Sequence, residues 1–164
     1  MNKVSSLFLA AALSVAATAH AADRLQIQAV LTKDGQVLST QTQEVGSGQT
    51  AHFSKTQPKE YDGKATVSSK GTKVEKEVHH LGFTADVTPH VLSTGKVQLA
   101  VNGLYTEPLS ENKVKTDGVE LNLPHYAKYS LASTVIVDQN GKATLERHGD
   151  KGPELQLDLT VKRL

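Results

Sequence analysis

The stretch Gly82–Val101 constrains the fold most, because its apolar side chains recur at every second position. The apolar residues of its two halves are Phe83, Ala85 and Val87, followed by Val97, Leu99 and Val101. A period of two puts each set on one face of a β-strand. Between the halves, Ser93–Lys96 contains a glycine, which can adopt the positive φ that a tight reversal needs. The sequence therefore predicts a β-hairpin, with Pro89, which cannot donate to a ladder, at an edge, a bulge or the hairpin mouth.

Short alternating segments separated by turn residues continue on both sides of this hairpin. Leu25–Leu31 is followed by the turn Asp34-Gly35, and the polar segment Gln36–Val45 after it is typical of an edge strand. Tyr129–Asp138 carries apolar residues on both faces, which indicates a central strand. Leu155–Val161 alternates without interruption, as a strand with one buried face does.

Two segments have the composition of loops. Gln57–Gly63 contains Pro58 and an Asp-Gly pair, and Leu109–Gly118 is polar, charged and without periodicity. The remaining segments give about nine or ten short strands and no helix. The predicted fold class is therefore all-β, either an antiparallel β-sandwich or a small closed barrel.

The first 21 residues have the three parts of a secretory signal peptide: Lys3, an apolar run over Leu7–Ala17, and the small-x-small cleavage site Ala19-His20-Ala21. The apolar run is too short to span a bilayer, and no later segment offers 18 consecutive apolar residues. We expect a signal peptide over residues 1–21, a single exported β domain over residues 22–164, and no transmembrane helix.

The charge balance gives no reason to expect a nucleic acid as partner. The sequence has 18 Lys and Arg residues against 17 Asp and Glu residues, and removal of the leader takes away Lys3, which leaves 17 of each sign. The chain has no cysteine, so an exported domain would be held together by its core alone. The leader and the lack of disulfides are typical of the periplasm or outer envelope of a Gram-negative bacterium.

Residues that bind metals or act as nucleophiles are present, but they do not form a recognisable motif. His79 and His80 are adjacent, so on a strand they point to opposite faces; His80, His90 and Asp86 are the weak candidates for a metal site. Ser93–Lys96 and Ser110–Lys113 have Ser-x-x-Lys spacing without the helix that this motif requires. We therefore expect no cofactor and no enzymatic activity.

Tyr105, Tyr126 and Tyr129 flank the two long polar stretches in the second half of the chain. Tyrosines combine an apolar ring with a polar hydroxyl group, and for this reason they are frequent in protein interfaces. These three residues are candidates for partner contact. Their alternative role is in the core or at its rim.

Three segments resemble the C-terminal homology domain of bacterial secretins. They are Val45–Ala51, Gly82–Val91 with Gly95–Val101, and Thr134–Gly141, which follow the order of that family's hairpins. The resemblance covers roughly Val45–Val161 and implies a stand-alone, secretin-like β domain in an envelope assembly. The chain departs from the family where Leu145–Gly149 replaces its Gly-Gly-Leu, and it lacks the ring-building domains and the membrane hairpins.

The sequence as a whole favours a non-enzymatic periplasmic or outer-envelope protein that acts through contacts with other envelope proteins or through self-association. The resemblance implies a secretin-like component of a secretion or pilus assembly. A second hypothesis is a fimbrial-subunit-like structural protein with a donor strand at Leu25–Leu31. A third is a small metal-binding protein or hydrolase that uses the histidines.

Overall fold

The computed structural model describes residues 23–69, 71–116, 118–149 and 152–164, and this part of the chain is built from β-strands. The predicted signal peptide lies outside the described residues. The strands are β1 (Arg24–Lys33), β2 (Gln36–Gly46), β3 (Ala51–Ser68), β4 (Gly71–Val91), β5 (Val97–Thr116), β6 (Val119–Val137), β7 (Lys142–Gly149) and β8 (Gly152–Arg163).

The strands form two antiparallel four-stranded sheets. The first sheet has the order β2-β1-β8-β7, and the second has the order β3-β4-β5-β6. The second sheet is a meander of consecutive hairpins, whereas the first brings the two ends of the chain together through the β1–β8 pair. The sandwich prediction is confirmed. The pairing among the described residues leaves two separate sheets, so the alternative of a closed barrel is wrong.

The core lies between the sheets and consists of the alternating apolar residues that the sequence pattern identifies. Leu25, Ile27 and Leu31 of the first sheet pack towards Phe53 and Leu99 of the second, and all of them are almost fully buried. The C-terminal strand contributes Leu155, Leu157, Leu159 and Val161, each with no exposed surface. Burial of these side chains on one face of each strand is the main stabilising contribution to the fold.

The hairpin predictions agree with the observed pairing. β4 and β5 pair from Val91↔Val97 to Gly82↔Thr106. Pro89 lies at the hairpin mouth. The pairing between β3 and β4 stops at Ala51↔Val87, so at Pro89 the described part of β4 pairs with β5 alone. Asp34 and Gly35 both have positive φ, of 48° and 78°, which is the geometry of a tight hairpin turn.

Three sequence predictions about the second sheet are wrong. The described residues form eight strands rather than nine or ten, because the predicted loop Gln57–Gly63 is part of β3 and Leu109–Thr116, from the predicted loop Leu109–Gly118, is part of β5. Pro58 is tolerated because β3 is an edge strand, which does not need every N–H group in a ladder. Tyr129–Val137 is not central: it belongs to β6, the other edge of the same sheet.

The second sheet extends beyond the sandwich as two hairpin arms. The β4–β5 ladder ends at Gly82↔Thr106, but the β3–β4 and β5–β6 ladders continue. The first arm comprises residues 57–81 and the second comprises residues 107–127. At about 3.3 Å per residue, each arm projects roughly 40 Å. Both faces of each arm are largely exposed to water. For this reason the sequence of the arms shows no regular spacing of apolar residues.

The structure contradicts the hypothesis of a donor strand at Leu25–Leu31. This segment lies inside the first sheet, where β2 pairs with it on one side and β8 on the other. Both edges of its backbone are therefore occupied, and its apolar side chains are buried in the chain's own core. A donor strand has to leave these groups available to a neighbouring molecule.

Candidate functional site

The outer edge of β3 is closed by glutamine side chains from the other sheet. The Gln43 carboxamide accepts a hydrogen bond from the His52 N–H at 3.1 Å and donates one to the His52 carbonyl at 2.5 Å. The Gln41 carboxamide makes the same two bonds to Ser54, at 3.3 and 3.2 Å. Two side chains thus take the place of a neighbouring strand. They satisfy the backbone groups through which β3 could otherwise pair with another chain.

The opposite edge of the second sheet has no such closure. β6 pairs with β5 on one side, and in the described part of the chain no hydrogen bond joins Ser130–Val137 to β7 on the other. This edge contains no charged residue from Tyr129 to Val137, and Ile136 is 59% exposed. Edge strands are usually protected from pairing by charges, proline or a covering element. The segment Ser130–Ile136, named here the open edge, has neither charge nor proline, and the neighbouring strand β7 lies beside it without backbone pairing among the described residues.

The other edge strands of the sandwich differ from the open edge. The short strand β7 carries Lys142, Glu146 and Arg147, whose charges oppose close pairing with a second strand. β2 is uncharged over Gln36–Gln43, but it is mostly polar, and its glutamines are engaged with β3. A shallow groove with Leu131 and Val135 on one wall and Leu145 on the other runs between β6 and β7. Ser130, Ser133, Thr144 and Glu146 also line this groove, and its accessible surface is mostly polar because Leu131 and Leu145 are buried.

A cleft of about 390 Å³ lies where the arms leave the sandwich. It lies where the β4–β5 ladder ends, at Gly82↔Thr106. Leu31, Leu81 and Phe83 supply apolar wall, and Lys55 stands among the residues that line the cleft. The volume falls within the range of small-molecule sites, about 300–1,000 Å³.

Beside the cleft, Glu107 is held by three donors. Lys33 Nζ lies 2.7 and 2.8 Å from its two carboxylate oxygens, and the Tyr129 hydroxyl group lies 3.0 Å away. The Tyr105 hydroxyl group is at 3.5 Å. The Lys33–Glu107 pair is largely shielded from water, with about a fifth of each side chain exposed. The hydrogen bond to Glu107 raises the pKa of Lys33, so Lys33 stays protonated. Its positive charge and the negative charge of Glu107 compensate each other.

Tyr129 links Glu107 to the first sheet. Its hydroxyl group is also 2.9 Å from the Glu154 carboxylate, and the Arg147 guanidinium lies over its ring at 5.0 Å from the centroid. Burial, followed by the hydrogen bonds to the two carboxylates, raises the pKa of the Tyr129 hydroxyl group far above its usual range. The phenol therefore stays protonated and serves as a structural donor.

The two arms are joined about midway along their length by Asp62. Its carboxylate accepts a hydrogen bond from the Asn122 N–H of the second arm at 2.7 Å and one from Lys76 Nζ at 2.5 Å. The Tyr61 and Tyr126 rings meet edge-on at 5.9 Å between centroids, and Lys59 pairs with Glu111 at 2.8 Å. The arms are thus one paired unit.

Replacement of Asp62 by asparagine should make the arms less sensitive to acid. The Asn122 amide and then Lys76 lower the pKa of Asp62 from its usual 3.8. The stability that Asp62 contributes is therefore present above that value and is lost as the pH falls through the lower folded pKa. In urea unfolding followed by circular dichroism, the Asp62→Asn midpoint should be lower at pH 7 and should fall less between about pH 5 and pH 3.

The matched control for this variant is Glu60→Gln, an exposed carboxylate two residues earlier on the same strand. Its acid sensitivity should equal that of the wild-type protein. An Asp62→Asn variant whose midpoint falls with pH as steeply as the wild type would show that Asp62 does not hold the arms together.

The structure does not bring the metal candidates together. His80, Asp86 and His90 all lie on β4, and all three are exposed. Asp86 is four residues from His90, about 13 Å along a strand, and six residues from His80. Asp86 instead pairs with His52 Nδ1 at 2.7 Å. Among the described residues, no group of three His, Cys, Asp or Glu residues could hold a metal ion.

The three candidate tyrosines divide between two places. Tyr105 and Tyr129 lie side by side with 6.0 Å between ring centroids, and both reach Glu107. Tyr126 lies between the arms, where its ring contacts Tyr61 and His79. Of the two Ser-x-x-Lys matches, Ser93–Lys96 forms the β4–β5 turn and Ser110–Lys113 lies on β5, so neither has the helical geometry of that motif.

Comparison with known proteins finds a likeness to solved structures alone. No model of a protein family and no curated protein matches. The secretin domain β-barrel of InvG from the Salmonella SPI-1 injectisome gives a TM-score of 0.46 at 10% identity, over 88% of this chain and 64% of that one. The near-atomic cryo-EM structure of the same Salmonella secretin gives 0.42 at 9% identity, over 86% and 58%.

A third structure, of the Salmonella SPI-1 basal body proteins InvG, PrgH and PrgK, gives 0.42 at 9% identity, over 86% of this chain and 41% of that one. The chain spans less than two thirds of each of these proteins. The comparisons identify no sequence family for this chain. Within the described residues, no helix has the length and apolar character needed to cross a membrane.

Proposed function

We propose that the protein is a non-enzymatic component of the cell envelope that acts by adding an extended strand of another envelope protein to its open edge. The observation that carries this proposal is the conflict between the sequence and the position of Ser130–Ile136. The segment has the composition of a strand with neighbours on both sides, yet the described part of the chain supplies one pairing strand only, β5. Such conflicts between local sequence and fold are typical of functional sites.

The chemistry of the open edge defines the partner segment. Unpaired backbone groups offer the hydrogen bonds of strand addition, and the side chains on either side give specificity. Because Tyr129–Val137 is uncharged and rich in β-branched residues, the added strand is itself uncharged, with apolar residues beside Val135 and the exposed Ile136. The predicted signal peptide and the hairpin motifs that resemble secretins support a place in a secretion or pilus assembly.

Single-cysteine cross-linking tests this proposal, since the natural chain has no cysteine. A benzophenone maleimide attached to Thr134→Cys, on the open edge, should give a photo-adduct with another protein in envelopes of the producing cell. Ser54→Cys is the matched control, because it lies on the closed edge of the same sheet. We expect at least a tenfold higher adduct yield at position 134.

The cross-linked protein, identified by mass spectrometry and purified, should slow amide exchange at Ser130–Ile136 when it is added to the wild-type chain. Equal yields at positions 134 and 54 would overturn the proposal. So would an adduct that contains a second copy of this chain alone, or a cross-linked protein that leaves the exchange of Ser130–Ile136 unchanged.

A further inference from the structure

The cleft at the base of the arms is a separate site from the open edge, and its charges identify what it can hold. Most ionic groups around it are already neutralised: Lys33 pairs with Glu107, and Lys59 pairs with Glu111 at 2.8 Å. Lys55 is the exception. Among the described residues it has no carboxylate partner, and its one hydrogen bond goes to the Leu38 carbonyl at 2.5 Å.

This arrangement leaves the cleft with one uncompensated positive charge beside an apolar wall. An ammonium group has three donors, so Lys55 retains two for a ligand. The Glu107 carboxylate cannot attract a cationic ligand, because Lys33 and the Tyr129 hydroxyl group already surround it. Charge complementarity therefore favours an anionic group at Lys55.

The rest of the cleft favours an aliphatic chain. Leu31 and Phe83 line it but are almost fully buried, whereas the half-buried side chains of Leu38 and Leu81 leave apolar surface in contact with water. Most of the accessible surface of the cleft is apolar, although Gln57, Lys59 and Thr106 also line it. A volume of about 390 Å³ accommodates one chain of moderate length but not a folded protein segment.

We propose that the cleft binds a single-chain amphipathic anion of the fatty-acid class, with its carboxylate at Lys55 and its chain along Leu38 and Leu81. The position of Lys55 supports this assignment, because Lys55 lines the cleft together with these two half-buried leucines, which places a positive charge beside the accessible apolar surface. The ligand would occupy the junction between the sandwich and the arms.

Dodecanoate below its micelle concentration is the test ligand, with the purified wild-type protein and isothermal titration calorimetry. We expect saturable binding of dodecanoate, and binding at least tenfold weaker for acetate, which has no chain, and for dodecyltrimethylammonium, which has the opposite charge. Lys55→Gln should weaken dodecanoate binding about tenfold, the worth of one charge-assisted contact. Lys142→Gln, an exposed lysine on β7, is the matched control and should bind as the wild type does.

Two further measurements test where the ligand lies, and the first uses the wild-type protein, so it does not depend on the fold of any variant. In wild-type amide NMR spectra, dodecanoate should shift the signals of Lys55, Gln57, Leu81 and Thr106 more than those of the open edge. Leu81→Ser should weaken the binding of dodecanoate and should leave the weak binding of acetate unchanged. Absence of saturable binding, equal affinity for the cationic detergent, an unchanged affinity in Lys55→Gln, or shifts confined to the β6–β7 groove would each overturn the assignment.

Discussion

Gly82→Ala should lower the free energy of unfolding by about 3 kcal/mol or more, the sum of backbone strain and a steric clash. Gly82 has a φ of 120°, which residues with a side chain rarely adopt. A Cβ atom there would lie 2.3 Å from the Lys55 carbonyl oxygen and 3.1 Å from the Thr56 Cα. Both contacts are with backbone, so β3 would have to move at the point where the arms leave the sandwich.

Gly71→Ala is the matched control for this prediction. Gly71 has nearly the same φ, 121°, but a Cβ atom would meet nothing within 4 Å. Its substitution therefore carries the strain without the clash and should cost about 1 kcal/mol. Urea unfolding followed by circular dichroism measures both variants. Equal losses for Gly71→Ala and Gly82→Ala would show that the close approach of β3 to β4 at Gly82 does not exist in solution.

The double variant Gln41→Ala/Gln43→Ala should lose about 2 kcal/mol and should associate in solution. Each glutamine makes one donated and one accepted hydrogen bond to β3, four in total. A hydrogen bond contributes about 0.5–1.5 kcal/mol net, towards the lower end where water can replace the lost partner. Removal also exposes the unpaired backbone of His52 and Ser54, a template for pairing with a second chain.

Gln26→Ala/Gln28→Ala reproduces the same substitutions at the same spacing on β1, whose backbone is paired on both sides. This control should change stability by no more than about 0.5 kcal/mol and should stay in the wild-type association state. Urea unfolding and sedimentation velocity distinguish the two double variants. If the Gln41/Gln43 double variant were as stable as the control and had the same association state, the glutamines would not close the edge.

The sequence predicts the sandwich because period-two alternation reports directly which side chains face the core. The β4–β5 hairpin, the Asp34-Gly35 turn, the polar edge strand β2 and the fully buried face of β8 all follow from that pattern and from turn chemistry. These features depend on local geometry and on one buried face, both of which a single segment encodes.

The arms could not be predicted in this way, because neither of their faces is continuously buried. A strand with both faces exposed to water has the composition of a loop, as Gln57–Gly63 and Leu109–Thr116 do. Their extended form depends on the partner strand and on ties such as Asp62 to Asn122. The cleft depends on where two ladders separate, which is a tertiary property.

The position of β6 at the edge of its sheet could not be predicted from the sequence, for a different reason. Tyr129–Val137 has the residues of a strand that lies between two others. No local signal in the sequence indicates that β5 is its only pairing strand in the described part of the chain. The closure of β3 did leave a signal: two glutamines at positions 41 and 43 share one face of an edge strand. Their spacing matches the two-residue repeat of the backbone groups they satisfy.

The contrast between a closed and an open edge is tested most directly by amide hydrogen exchange of the wild-type protein, resolved by residue. We predict slow exchange at His52 and Ser54, whose N–H groups are held by glutamine side chains, and fast exchange at alternate amides of Ser130–Ile136, whose N–H groups point away from β5. Fast exchange at His52 and Ser54, or uniform protection along Ser130–Ile136 in the isolated monomer, would contradict this account.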